Sequence, residues 1–131
     1  MKEFNKECER INEKIFGFTV GVILRFNAIK KENNYNECYH QILDFSSKAG
    51  RCMAKVLESD SLTIKQSAIC NASGLINNCI HNLKVLHNLN NNYLKISSLL
   101  EESEEISKSI EKLMYSTKYF SINSKEMLES C

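Results

Sequence analysis

Three basic side chains, Lys48, Arg51 and Lys55, form the group in this sequence whose types and spacing best suit contact with a ligand. They fall at i, i+3 and i+7, so a helix would hold them in a narrow arc beside its apolar stripe. Cationic groups arranged in this way bind the phosphates of a polyanion. Asp44, one turn earlier, dilutes the charge. We therefore predict a nucleic-acid-binding patch here, with an ordinary solvated helix edge as the alternative.

Other side chains with catalytic or metal-binding potential lack the spacing that such chemistry requires. Two acidic pairs lie in the first half of a predicted helix, where a solvated face is favoured because no Glu-x-x-His motif accompanies them. The histidines have no i,i+4 spacing, and no glycine-rich phosphate loop occurs. We predict no catalytic residue, metal site or cofactor, and hence a non-enzymatic protein. The residues concerned are Glu101, Glu102, Glu104, Glu105, His40, His81 and His87.

The six cysteines are spread along the chain without a CxxC pair. Their even number is compatible with a disulfide framework, but the glutamate-rich N-terminal stretch does not resemble a secretion signal. We therefore predict reduced thiols and a cytoplasmic location. The cysteines are Cys8, Cys38, Cys52, Cys70, Cys79 and Cys131.

The length and composition indicate one globular domain. The chain has 131 residues, of which 43% are hydrophobic and 25% charged, and it contains no proline. Because proline punctuates loops and is excluded from helix interiors, its absence favours long helices joined by short turns. The formal net charge of +1 provides no overall field toward nucleic acid or an anionic membrane, so such binding would require a local patch.

Apolar residues recur at steps of three and four over four stretches, which predicts four helices at about 5–30, 36–58, 62–88 and 92–118, with a tail at 121–131. The third helix should begin around Ser61 to Thr63, where Thr63 and Gln66 have capping-box spacing. The stripes of the first and third helices are Ile11, Ile15, Phe18, Val22, Phe26 and Ile29, and Ile69, Ala72, Ile76, Cys79, Leu83 and Leu86; the second runs from Cys38 to Val56 and the fourth from Tyr93 to Thr117.

Short connections predict how these helices are arranged. Loops of about four to six residues are too short for crossovers, so consecutive helices should be antiparallel. The predicted fold is all-α, an antiparallel up-down-up-down four-helix bundle in residues 1–120. Gly17 and Gly21 have the spacing of a small-xxx-small pair, which in a water-soluble chain favours close helix contact over membrane dimerisation.

The predicted third helix carries no charged residue from Gln66 through Leu83. A solvated helix normally carries lysine and glutamate on its outer face, so we predict a protein interface here, most simply self-association. An idle polar surface is one alternative. A membrane span is another, disfavoured by the cost of asparagines in hydrocarbon. The predicted interface residues are Asn71, Asn77, Asn78, His81 and Asn82.

Three segments carry a resemblance to a known family. They are "QILDFSSKAGRCMAKVLESDS", "ICNASGLINNCIHNLKVLHNLN" and "NNYLKISSLLEESEEISKSIEKLMYSTK". In order and spacing, residues 9–118 resemble the bacterial four-helix-bundle proteins encoded in 23S ribosomal RNA intervening sequences, a group that includes the accessory variability determinants of diversity-generating retroelements. Glu58 and Ser59 match the end of the family's second helix, whereas Asn77, Asn78 and His81 replace its usual acidic and aromatic residues.

The resemblance implies a homopentamer and, for the retroelement branch, partnership with a reverse transcriptase and its template RNA through a basic surface. We therefore expect a non-enzymatic, oligomeric accessory protein that scaffolds a nucleoprotein complex. The alternative is a protein-interaction module that self-associates without nucleic acid. Neither hypothesis includes a membrane.

Overall fold

The computed structural model of the protein describes residues 2–27, 36–89 and 96–120, which form four α-helices. Helix α1 spans Lys2–Asn27, α2 spans Asn36–Glu58, α3 spans Leu62–Leu89 and α4 spans Ile96–Phe120. No strand occurs within the described ranges. The all-α prediction is therefore confirmed, and α1 begins earlier than expected.

The helices form a ring in which α1 and α3 each pack against α2 and α4. Lys14 on α1 pairs with Glu105 on α4 at 3.4 Å, whereas Arg10, nearer the start of α1, donates to Ser109 Oγ, further along α4, at 3.3 Å. This order shows that α1 and α4 are antiparallel. The turn at 59–61 is too short to let α2 and α3 run in parallel. The predicted antiparallel four-helix bundle is the observed fold.

The hydrophobic core consists of one stripe of side chains from each helix. The spacing of apolar residues in the sequence predicted most of the buried residues. All six α3 positions are buried, as are the α1 positions from Ile11 to Phe26; Ile29 and Tyr93 lie outside the described residues. On α2 only half of the predicted stripe is buried, namely Ile42, Ala49 and Val56, whereas Cys38, Phe45 and Cys52 are half-buried. The buried set on this helix adds Met53 and Ser46, which the predicted stripe omitted. Because α2 packs against both α1 and α3, its inward face is wider than a single row of residues.

The N-cap of α3 is Ser61, within the predicted start at Ser61 to Thr63, and the capping box of Thr63 and Gln66 does not form. Ser61 immediately precedes the helix, and its Oγ accepts a hydrogen bond from the backbone N–H of Ile64 at 3.4 Å. Thr63 lies inside the first turn, and the Gln66 side chain donates to the carbonyl oxygen of Thr117 on α4 at 3.1 Å. Ser61 and Thr63 are both good capping residues, so the sequence alone did not distinguish the two positions.

Lys65 of α3 contacts both α1 and α2 at the end of the bundle where α3 begins. It is only 5% exposed, its Nζ donates to the carbonyl oxygen of Val56 at 2.7 Å, and the same atom lies 5.7 Å from the centroid of the Phe4 ring. A lysine near a helix C-terminus satisfies carbonyls that have no partner within the helix. The contact therefore holds the end of α2 against the start of α3, which fixes the spacing of these helices.

Candidate functional site

The three predicted basic residues line a groove between α2 and α3. Lys48 and Lys55 are exposed on the edge of α2 that faces α3. Arg51 is exposed on the outer face of α2 and borders both this groove and the neighbouring α1–α2 groove, which Glu13 also lines. The groove has a volume of about 800 Å³. The structure thus brings these cations together on one ligand-sized concave surface. The full lining is Lys48, Arg51, Cys52, Lys55, Cys70, Asn71, Gly74, Leu75 and Asn78.

The opposite wall of the groove is polar and uncharged. Asn71, Gly74 and Asn78 of α3 are exposed along it, one turn apart. A Cβ atom added at Gly74 would meet nothing within 4 Å, so the groove is open at this point. The half-buried side chains Cys52, Cys70 and Leu75 separate the two walls and form the floor.

Three cationic side chains and no carboxylate belong to the lining of the groove, so its charge favours an anionic ligand. Lys48 pairs with Asp44 at 3.0 Å, but both side chains are half exposed, so this ion pair is weak and screened by salt. Among the described residues, neither Arg51 nor Lys55 is in an ion pair.

The pKa of Cys52, in the floor of the groove, depends on burial and on nearby positive charge. Burial raises the pKa of the Cys52 thiol, and the charges of Lys55 and Arg51 act in the opposite direction by favouring the thiolate. Lys55 and Arg51 line the same groove as Cys52. The same two charges would act on a bound anion.

The five predicted interface residues of α3 do not form one surface. Asn71 and Asn78 belong to the groove, whereas Asn77 faces α4 and accepts a hydrogen bond from Ser107 Oγ at 3.2 Å. His81 is exposed. The placement of Asn82 on the outer face is wrong: it is 8% exposed, and its side-chain amide donates to the Asn78 carbonyl oxygen at 3.0 Å.

An apolar stripe on the outer face of α1 escaped the sequence prediction. Phe16, Val20 and Leu24 recur at steps of four and are 71%, 38% and 63% exposed, so they point away from the core. We call these three residues the α1 stripe. Between Lys14 and Arg25 the helix carries no charged residue, and this was the signal in the sequence. An uncharged apolar row facing solvent is typical of a contact surface.

The two glycines of α1 have different surroundings. Gly21 lies against α4, where an added Cβ would meet Leu99 Cδ2 at 3.4 Å, so close helix contact occurs here as predicted. Gly17 is exposed with nothing within 4 Å, and the prediction of close contact is wrong for this residue. The small-xxx-small pattern does not specify which of its positions faces a neighbouring helix.

The acidic pairs of α4 at 101–102 and 104–105 are exposed, as the solvated-face interpretation predicted. The described residues contain no group of three or more potential metal ligands. Cys8, Cys38, Cys52, Cys70 and Cys79 are thiols. Burial raises the pKa of Cys8 to about 11 and that of Cys79 to about 12, which opposes the thiolate form needed by a nucleophile at neutral pH.

Within the described ranges, no helix has the length and apolar character required to cross a membrane. Comparison of the chain with protein-family models, curated proteins and solved structures gives no significant match.

Proposed function

We propose that this protein is a non-enzymatic, oligomeric accessory protein that binds the phosphate backbone of RNA in the α2–α3 groove. The observation that carries the proposal is the concave row of Lys48, Arg51 and Lys55 without a carboxylate in its lining. A polyanion gains affinity at such a site by releasing counterions, and this gain requires only local charge. A formal net charge of +1 is therefore compatible with binding.

The rest of the groove also suits a polynucleotide. Asn71 and Asn78 offer amides that donate and accept hydrogen bonds. The floor of the groove carries no charged side chain, so a ligand that covers it does not have to strip water from a charge there. The groove volume of about 800 Å³ lies within the range of small-ligand pockets. A short stretch of one strand therefore fits each copy of the chain, and an oligomer would repeat the contact.

The proposed partner and the proposed assembly come from the family resemblance. It suggests that the protein works in a complex with a reverse transcriptase and that it forms a pentamer. A cytoplasmic location is part of the proposal, and the five cysteines that the structure describes, which are all thiols, agree with it. The protein would bind the RNA, and the partner enzyme would carry out the reaction.

The α1 stripe favours a second candidate function, a module that self-associates without nucleic acid. Phe16 and Leu24 are each more than half exposed on the helix face opposite the core. Burying them in a contact between copies would remove apolar surface from water, the main favourable term in association. This candidate uses α1, whereas the sequence had indicated α3.

A single added charge in the groove tests the leading proposal. We expect Gly74→Glu to weaken binding of a uridine oligonucleotide by about tenfold, because a carboxylate beside the cations repels phosphate and occupies the open part of the groove. Folding should be retained because the site is exposed with room for a side chain, and glycine is a poor helix former. Fluorescence anisotropy measures the affinity.

Asn77→Glu is the matched control. It adds the same charge to the same helix one turn away, on the side that faces α4. We expect its affinity to stay within about twofold of the unmodified protein. Equal weakening by both variants, or no weakening by Gly74→Glu, would show that RNA binds elsewhere.

A further inference from the structure

The two walls of the α2–α3 groove differ in chemistry, and this difference indicates which polynucleotide it accepts. We propose that the groove holds a single RNA strand lengthwise, with its phosphates along Lys48, Arg51 and Lys55 and its sugars toward Asn71 and Asn78. This inference rests on the proposed function and adds to it the strandedness, orientation and sugar chemistry of the ligand.

The two walls have matching lengths. Lys48 to Lys55 and Asn71 to Asn78 are each separated by seven residue steps of helix, or about 10 Å at 1.5 Å per step. Phosphates along one strand of a duplex are about 3.4 Å apart measured along its axis, and more widely spaced in an extended strand. About two or three consecutive nucleotides therefore span the groove, with one wall for each side of the strand.

The width and shape of the groove favour a single strand over a duplex. Packed helices lie about 8–10 Å apart between their axes, so the slot between them is narrower than a duplex. Proteins that read duplexes insert a protruding element into a nucleic-acid groove about 12 Å wide. Here the cations form one row along an open groove between two helices, and one row of cations contacts one backbone more readily than two.

The amide wall adds a preference for RNA. The 2′-hydroxyl both donates and accepts hydrogen bonds, and it is the group that distinguishes RNA from DNA. Lysine and arginine only donate, whereas a carboxamide does both. Asn71 and Asn78 are exposed on the wall facing the cations, where the sugars of a strand with its phosphates on α2 would lie.

The experiment compares three labelled probes of matched charge: an oligouridine of about twelve nucleotides, the corresponding oligodeoxythymidine, and an RNA hairpin. We expect oligouridine to bind about fivefold more tightly than oligodeoxythymidine, the value of about one hydrogen bond, and more tightly than the hairpin. The Asn71→Ala, Asn78→Ala variant should bind oligouridine only as well as oligodeoxythymidine, with the latter unchanged. Asn77→Ala, a change outside the groove, should retain the preference.

The outcomes separate this inference from the proposed function. Equal binding of the two single strands, a preference that survives the double asparagine change, or tighter binding of the hairpin would overturn the inference while polyanion binding stands. Absence of binding to every probe would overturn both.

Discussion

Replacing Lys48, Arg51 and Lys55 together with glutamate is expected to weaken binding of oligouridine by at least about a hundredfold at physiological salt. Three lost phosphate contacts of about 1 kcal/mol each correspond to about 3 kcal/mol, which is about two orders of magnitude in affinity. The introduced carboxylates add repulsion to this loss. Anisotropy titrations of both proteins at the same ionic strength measure the effect.

A control with the same change in net charge separates the groove from the overall field. Lys6, Lys84 and Lys108 are exposed and outside the groove lining, so their joint replacement with glutamate should lower the affinity by less than about tenfold. Both variants should stay folded, because all six replaced side chains are exposed. The Lys48–Asp44 ion pair, which the groove variant loses, is exposed and contributes little to the free energy of unfolding. Similar losses in both variants would contradict a specific groove.

Replacing Phe16 and Leu24 with glutamate is expected to convert an oligomer into a monomer of 15.1 kDa. A carboxylate enclosed in an apolar contact without a partner costs several kcal/mol, and a symmetric contact incurs that cost in every copy. The association constant should therefore fall by about a thousandfold or more. Light scattering at tens of micromolar measures the mass, and circular dichroism verifies the fold.

The matched control for this variant tests the α3 surface that the sequence indicated. Asn77 and His81 are exposed, and glutamate at both should leave the mass unchanged if α1 forms the contact. Dissociation by the α3 change alone would instead place the contact where the sequence put it. A monomeric unmodified protein would refute self-association through either surface.

The helices and the core were accessible from the sequence because both depend on local periodicity. Rows such as Ile69 to Leu86 place one residue per turn on the same side, and burial follows from that geometry. The antiparallel order followed from short connections. The buried contacts of Lys65 with Val56 and Phe4 could not be predicted from the sequence. They join residues from three helices, and the relative axial positions of these helices depend on how they pack.

The candidate site was accessible only in part, for the same reason. The spacing of Lys48, Arg51 and Lys55 placed them on one side of α2 without identifying what faces them. Asn71 and Asn78 were singled out for an interface between copies, and only the packing of α2 on α3 put them opposite the cations. Asn82 was misplaced because a buried asparagine that hydrogen-bonds its own helix resembles an exposed one in sequence.

Lysine footprinting with and without saturating oligouridine tests the location of the binding site most directly, because every lysine of one unmodified protein is compared at once. We predict that acetylation of Lys48 and Lys55 slows by about tenfold on binding, while that of Lys84 and Lys108, which are exposed outside the groove, stays within about twofold. Protection of Lys84 or Lys108 with Lys48 and Lys55 unprotected would contradict the assignment of the α2–α3 groove.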